Sequence, residues 1–225
     1  MKIETKFPRE NARDYALRIM KNNILSLDLK PGTVISENEL ATELGISRTP
    51  VREAIIELSK AYLIETYPQR GSFVSLIDPK MVEEARFIRR ITDTAVIELA
   101  CEQIDEKGIA VLEENVVLQE FYLSKGMTDK IFDLDNQFHK SIYDIAEKDI
   151  VYEIHSTLML HFDRVRNLSV STVKDFKVVG DHRNMLEAIK AGDKKTAVEL
   201  VNKHLNRYQI DEKEIRSKRP EYFKA

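Results

Sequence analysis

Little in this 225-residue chain is suited to cross-linking or to spanning a bilayer. Its one cysteine, Cys101, leaves no disulfide within the chain, fits a reducing cytoplasm, and reads as a small core side chain. No apolar run approaches the ~18 residues of a membrane span, and the polar start MKIETKFPRE lacks a secretory apolar segment. A cytoplasmic location without a membrane partner is the expectation. Phosphate-binding glycine loops, a dinucleotide fingerprint, a nucleophile elbow and paired-cysteine zinc motifs are all missing, so no enzyme signature stands out. What remains is 43% apolar and 32% charged, the balance of a soluble globular protein, and long enough for two domains.

The densest information lies in Ser36 to Val74. Ser36 and Glu39 have the spacing of a capping box, so a helix starts there. Leu40, Ala41 and Leu44 give it an apolar face, and Gly45 supplies the backbone freedom for a tight turn. Ser47 is the N-cap candidate of a second helix, with Pro50 in its first turn, where a missing N–H costs little. Val51, Ile55 and Leu58 point inward, which leaves Arg48, Thr49 and Arg52 outward near the N-terminus. A helix that reads a DNA groove contacts base edges with its N-terminal residues, and an arginine fork matches the two acceptors of guanine. A short hairpin through Arg70-Gly71-Ser72-Phe73-Val74 follows.

These residues closely resemble the winged-helix domain of the GntR family of bacterial transcription regulators. The resemblance runs from LKPGTVISENELA through LGISRTPVREAI to the wing and covers roughly residues 10 to 77. It implies base or phosphate contacts from Arg48, Thr49 and Arg52 and a minor-groove contact from the wing tip at Gly71. Asn38 occupies the place of a backbone-contacting arginine in some members and can still bond a phosphate. Residues 1–78 carry 11 basic and 11 acidic side chains, and the remainder 24 and 27, which gives the overall −3. General phosphate attraction is therefore modest. Specific binding must rest on the local cluster Arg48, Arg52 and Arg70 and on two copies acting together, a homodimer on a near-palindromic double-stranded operator.

The boundary falls in Leu76-Ile77-Asp78-Pro79-Lys80, giving domains 1–77 and 78–225, with a charged, proline-bearing tail (212–225) expected to be partly ordered at best. Beyond the boundary only helical periodicity appears. Helices are expected over Pro79–Gln103, Lys107–Leu123, Thr128–Glu147, Ile150–Asn167, Val173–Ala191 and Lys194–Asp211. The predicted fold is mostly α: a winged helix with a small β-hairpin, then an all-α antiparallel bundle.

In the bundle, Asp135 and His139 stand four apart and share a helix face, while His182 and His204 lie on two later helices. A carboxylate with imidazoles suits zinc, nickel or manganese, but spacing alone does not show that the four converge. His155 and His161 fall on another helix and read as ordinary core or surface histidines, Arg164 and Arg166 as solvated charges.

The stretches Asp135–His139, Asp181–Ile189 and Ala197–Leu205 resemble the ligand-binding domain of the FadR subfamily. Many of its members bind a divalent metal through one Asp and three His, here Asp135, His139, His182 and His204. The resemblance also implies an arginine on the first bundle helix that meets a small organic acid effector. Arg89 fits, four residues before Asp93, with Arg90 as its rival. The subfamily's Gly-Asn turn reads Glu147-Lys148-Asp149 here.

The leading expectation is an effector-responsive transcription regulator, not an enzyme. A regulator for which the metal is itself the signal is the alternative. A metal-dependent hydrolase with a DNA-binding head is the third reading, weakened because no spare carboxylate is placed as a general base.

Overall fold

The structure, a computed structural model, describes residues 1–127, 129–172 and 177–224. It divides into two compact units, residues 1–80 with 218–225, and residues 81–217.

The first unit contains α1 (Ala12–Leu25), β1 (Val34–Ile35), α2 (Glu37–Leu44), α3 (Arg48–Lys60), β2 (Ile64–Tyr67) and β3 (Gly71–Val74). The Asn11 side chain caps α1 by accepting from the Asp14 amide, and Ser36 caps α2 by accepting from the Glu39 amide at 3.3 Å. Gly45 ends α2 at φ +65°, a conformation that favours glycine. Ser47 stands at the N-cap of α3 in extended conformation, but its hydroxyl makes no capping bond. Leu40, Ala41 and Leu44 of α2 and Val51, Ala54, Ile55 and Leu58 of α3 are buried, as are Ile19, Met20 and Ile24 of α1. Each of the leucine, isoleucine, valine and methionine side chains among these contributes about 1.5–3 kcal/mol by leaving water. The three strands form one antiparallel sheet in the order β1-β3-β2, with Val34 opposite Phe73 and Ile64 opposite Val74.

The C-terminal segment differs from expectation. A short 3-10 turn, Pro220–Tyr222, leads into a parallel bridge between Phe223 and Ile77. The Ile77 amide donates to the Tyr222 carbonyl (2.8 Å), and the Lys224 amide donates to the Ile77 carbonyl (2.9 Å). Tyr222 and Phe223 are buried, and the Lys224 ammonium lies 2.8 Å from Glu65 and 3.6 Å from Asp78. Apolar burial and two backbone bonds explain why this charged, proline-bearing stretch takes up a defined place.

The second unit is helical: α4 (Pro79–Gln103), α5 (Glu106–Ser124), α6 (Asp129–Ile145), α7 (Asp149–Leu158), α8 (Leu160–Thr172), α9 (Lys177–Lys190) and α10 (Lys194–Lys218). The helix starts expected at Thr128 and Val173 lie outside the described residues. The single helix expected over 150–167 is two, interrupted at Met159 without a glycine or proline. The break accompanies a change of environment, since Ile150, Ile154 and Leu158 are exposed whereas Leu160, His161, Phe162, Arg164, Val165 and Arg166 are buried. The last helix extends to Lys218, past the expected Asp211. Val96, Ile97, Leu112, Val116, Phe138, Met185, Ile189 and Val201 form the core between α4, α5, α6, α9 and α10. Among the described residues no helix is long and apolar enough to cross a membrane.

Candidate functional site

Two regions gather the residues singled out in the sequence. On the first unit, Asn38, Ser47, Arg48, Thr49 and Arg52 are all exposed on α2, α3 and the turn between them. Arg70 and Gly71 are exposed at the tip of the β2–β3 hairpin, where Gly71 adopts φ +94°. Arg48 and Arg52 share one acid. Glu37, in the first turn of α2, accepts from Arg52 Nε at 3.1 and 3.2 Å and from Arg52 Nη2 at 2.9 Å, while Arg48 Nη2 lies 3.5 Å away. The hydrogen bonds from Arg52 hold the Glu37 carboxyl below its ordinary range. The sequence signal for Glu37 is its place in the first turn of α2, directly after the capping Ser36, and the pairing with Arg52 on α3 depends on the fold.

The second region lies inside the helical unit. Asp135, His139, His182 and His204 are all buried, and one ligand atom from each lies within 4.8 Å of the others. His139 Nε2 is 3.2 Å from His204 Nε2. Asp135 Oδ1 lies 3.4 Å from His182 Nε2 and 4.0 Å from His204 Nε2. The opposite ring nitrogens each face an acceptor: His182 Nδ1 meets Gln119 Oε1 at 2.8 Å, His139 Nδ1 meets Asp93 Oδ2 at 3.3 Å, and His204 Nδ1 is 3.8 Å from Asp181 Oδ2. The first two contacts favour the tautomer with the proton on Nδ1 and the Nε2 lone pair facing the other rings, whereas 3.8 Å leaves His204 Nδ1 without a hydrogen bond.

Around these rings the remaining polar atoms are held in a relay. Gln119 Nε2 donates to Asn115 Oδ1 (2.6 Å), and Asn115 donates to the Leu134 carbonyl (3.1 Å). Arg166 pairs with Asp135 Oδ2 and also donates to Asn136 and Asp163. Asp135 Oδ1 and His182 Nε2 are buried without a hydrogen-bond partner. With these two orphaned atoms and the Nε2 atoms of His139 and His204, three imidazoles and one carboxylate oxygen form a donor set that fits a borderline divalent ion.

Burial decides the protonation of the rings. Desolvation pushes His139 and His182 below the ordinary imidazole value and His204 down to about 4. All three are therefore neutral near pH 7, the form a metal requires. The His139–Asp93 contact is accordingly a hydrogen bond rather than an ion pair.

Arg89 lies inward on α4 and donates from Nε to Asp93 Oδ2 at 3.1 Å, whereas Arg90 is exposed. Burial alone would raise the Asp93 carboxyl, yet the Arg89 charge and bonds from His139 and Tyr143 hold it well below the usual range. A cavity of about 30 Å³ opens beside Arg89, lined by Glu83, Arg86, Phe87, Arg90, Phe162 and Asn206 among others.

Three residues expected to be ordinary are not. Arg164 and Arg166 are fully or nearly fully buried instead of solvated. His155 is buried against Tyr143, ring centroids 5.7 Å apart, with both nitrogens lacking a hydrogen-bond partner. Helical periodicity carries no signal for these positions, since α7 and α8 were read as one helix. His161, by contrast, accepts at Nδ1 from Arg164 Nη2 at 2.8 Å, as a satisfied core histidine does.

Residues 15–74 match the family model described as bacterial regulatory proteins, gntR family, and residues 84–207 match the FCD domain. An uncharacterized HTH-type transcriptional regulator from Streptomyces ambofaciens is 33% identical over 96% of this chain and 90% of its own length. The HTH-type transcriptional repressor RspR of Escherichia coli is 30% identical, with 99% of each chain covered. Among solved structures, Escherichia coli McbR/YncC superposes with a TM-score of 0.79 at 21% identity, covering 91% of this chain and 99% of that one. A putative GntR regulator from Rhodococcus sp. superposes at 0.75 with 19% identity, covering 88% and 96%; both likenesses bear on the fold. The chain belongs to the GntR family of bacterial transcription regulators, with a DNA-binding winged helix followed by a helical FCD domain of the FadR-like subfamily.

Proposed function

We propose that this regulator binds a near-palindromic operator as a homodimer and that its affinity for DNA responds to a small carboxylate held beside a divalent metal in the FCD domain. Arg48, Thr49 and Arg52 contact bases or phosphates in the major groove. Asn38 and Ser47 contact the backbone, and Arg70 and Gly71 place the wing in the minor groove.

The observation that carries the effector reading is the convergence of three imidazole Nε2 atoms and Asp135 Oδ1, with His182 and His139 each backed at Nδ1 by an acceptor. Asp135, His139, His182 and His204 would hold the ion, and zinc, nickel and manganese are the candidates. Bound there, it supplies positive charge for an anionic ligand. Arg89 and the neighbouring cavity supply a second anchoring charge, and the unpartnered nitrogens of His155 supply hydrogen bonding nearby.

A physical route to the DNA-binding unit exists in the chain itself. α10 carries His204 and runs to Lys218, and the residues that follow pair with Ile77, immediately before the start of α4. Displacing α4 through Arg89 or α10 through His204 therefore pulls on both covalent connections to the head, the differential contact that coupling requires.

The test is operator affinity measured with apo protein, with metal, and with metal plus a panel of small carboxylates. A carboxylate that changes affinity only when metal is present supports the reading. Metal alone producing the full change favours the second reading, in which the ion is the signal. That alternative has one observation in its favour, because Arg89 is already bonded to Asp93 and the cavity beside it is small. No change with either ligand refutes both.

A further inference from the structure

We propose that Glu37 is a positioning residue that aims Arg52 at a base edge and thereby sets the ratio of specific to non-specific DNA binding. An exposed arginine at a DNA surface has two competing uses, a fork on guanine or a monodentate grip on phosphate. Phosphates are far more numerous, so an unrestrained guanidinium favours the second.

The geometry at Glu37 removes much of that freedom. Its carboxylate takes the side of the Arg52 guanidinium formed by Nε and Nη2, at 2.9–3.2 Å. A guanidinium bonded along that side keeps Nη1 and the outer N–H of Nη2 free to donate. Those groups form the end-on fork that spans O6 and N7 of guanine. The Arg52 side chain remains 60% exposed, so this fork faces solvent in the free protein. Arg48 approaches the same carboxylate, so one acid organises both recognition arginines.

Charge works in the same direction. The carboxylate offsets part of the arginine charge and is itself repelled by phosphate, which weakens binding to arbitrary sequence. When Arg52 meets guanine, the lost attraction is returned by two directed hydrogen bonds; on a non-cognate duplex it is not. Residues 1–78, with 11 basic and 11 acidic side chains, carry no net charge, so specificity gains more from such an arrangement than from general attraction for DNA.

The inference rests on Arg52 contacting a base, and the experiment separates the two. The probes are a duplex enriched from a random pool by the wild-type protein and a scrambled duplex of equal length. Both are titrated over a range of salt with wild type, Glu37→Gln, Glu37→Ala and Arg52→Ala. Both Glu37 variants are expected to lower the enriched-to-scrambled affinity ratio about tenfold, the scale of one bidentate base contact. Affinity for the scrambled duplex should hold or rise, with a salt slope steeper by about one as Arg52 turns to phosphate. If Arg52→Ala lowers the ratio and the Glu37 variants do not, Glu37 has no positioning role. If Arg52→Ala leaves the ratio unchanged, the base-contact reading itself fails. An equal loss on both duplexes, accompanied by a lower melting temperature, would reduce Glu37 to a structural residue of α2 and overturn the proposal.

Discussion

Replacing His182 with alanine tests the metal site most directly, because the change has two effects that can be separated. The first is packing. His182 is fully buried, stacks on Phe138 with centroids 4.3 Å apart, and bonds Gln119. Its loss leaves a cavity and an unpaired amide oxygen, together costing about 2–4 kcal/mol whether or not metal is present. The second is ligation. An ion that binds only the folded state stabilises it by about 2.7 kcal/mol at a free concentration one hundred times its Kd. The second unit spans residues 81–217, and a unit of roughly 140 residues unfolds with an entropy near 0.3 kcal/mol/K. That stabilisation therefore raises its melting temperature by about 9 °C. Wild-type protein stripped with a chelator should regain this increment on adding zinc, nickel or manganese. His182→Ala should melt lower when stripped and regain less than about 2 °C at the same metal concentration. Calorimetry of the four samples, with elemental analysis after dialysis against a mild chelator, isolates ligation as the difference of differences. Equal increments, or stoichiometric metal retained by the variant, would show that His182 is not a ligand.

Three further outcomes follow from other parts of the molecule. Burial lowers His155 from its ordinary 6.5 to about 4. The unfolded chain therefore takes up a proton first as pH falls, and stability present above pH 6.5 is lost down to about pH 4, by about 3 kcal/mol for this residue. His155→Phe should flatten that part of the acid-unfolding curve, and an unchanged slope in urea titrations between pH 6.5 and 4 would refute the assignment. Deleting residues 219–225 removes two backbone bonds to Ile77 and the burial of Tyr222 and Phe223. The first unit should lose about 3 kcal/mol in denaturant unfolding, and an unmoved midpoint would show that the docked tail adds no stability. Light scattering should give twice the chain mass both free and on an operator duplex; a monomer in both conditions would remove the homodimer from the proposed function.

How far the sequence could be read depended on whether a feature was local. The capping role of Ser36, the left-handed Gly45 and the inward set Val51, Ile55 and Leu58 each depend on neighbours within one or two turns, so spacing was enough. Ser47 stands at the N-cap of α3 as its spacing predicts, without a side-chain capping bond. The break at Met159 had no local cause to read, since neither glycine nor proline marks it. It follows instead from the change from the exposed face of α7 to the buried face of α8, which is a tertiary fact. The tail shows the same limit: its charges and proline argue for looseness, and the burial of Tyr222 and Phe223 with the backbone groups of Ile77 gives it a place.

The buried charges of the second unit do not serve its stability, and they fit the ligand site proposed for it. Arg89, Asp93, Asp135, Arg164, Arg166 and Asp181 are each at most 3% exposed, gathered on α4, α6, α8 and α9. Taking such groups out of water costs several kcal/mol each before pairing, and apolar side chains of similar volume would fill the space with less penalty. Pairing recovers part of the cost, as in Arg89–Asp93 and Arg166–Asp135. Each pair also acts on a candidate ligand. Arg166 takes Oδ2 of Asp135 and leaves Oδ1 facing the histidines, while Arg89 lowers Asp93, which in turn accepts from His139 Nδ1. Cations and acids thus alternate outward from the point where the Nε2 atoms meet. A ligand that neutralises Arg89 would release Asp93 from it and alter the partner of a histidine on α6. Through Asp93, which contacts both Arg89 and His139, a ligand in the cavity would thus act on the geometry at the imidazoles.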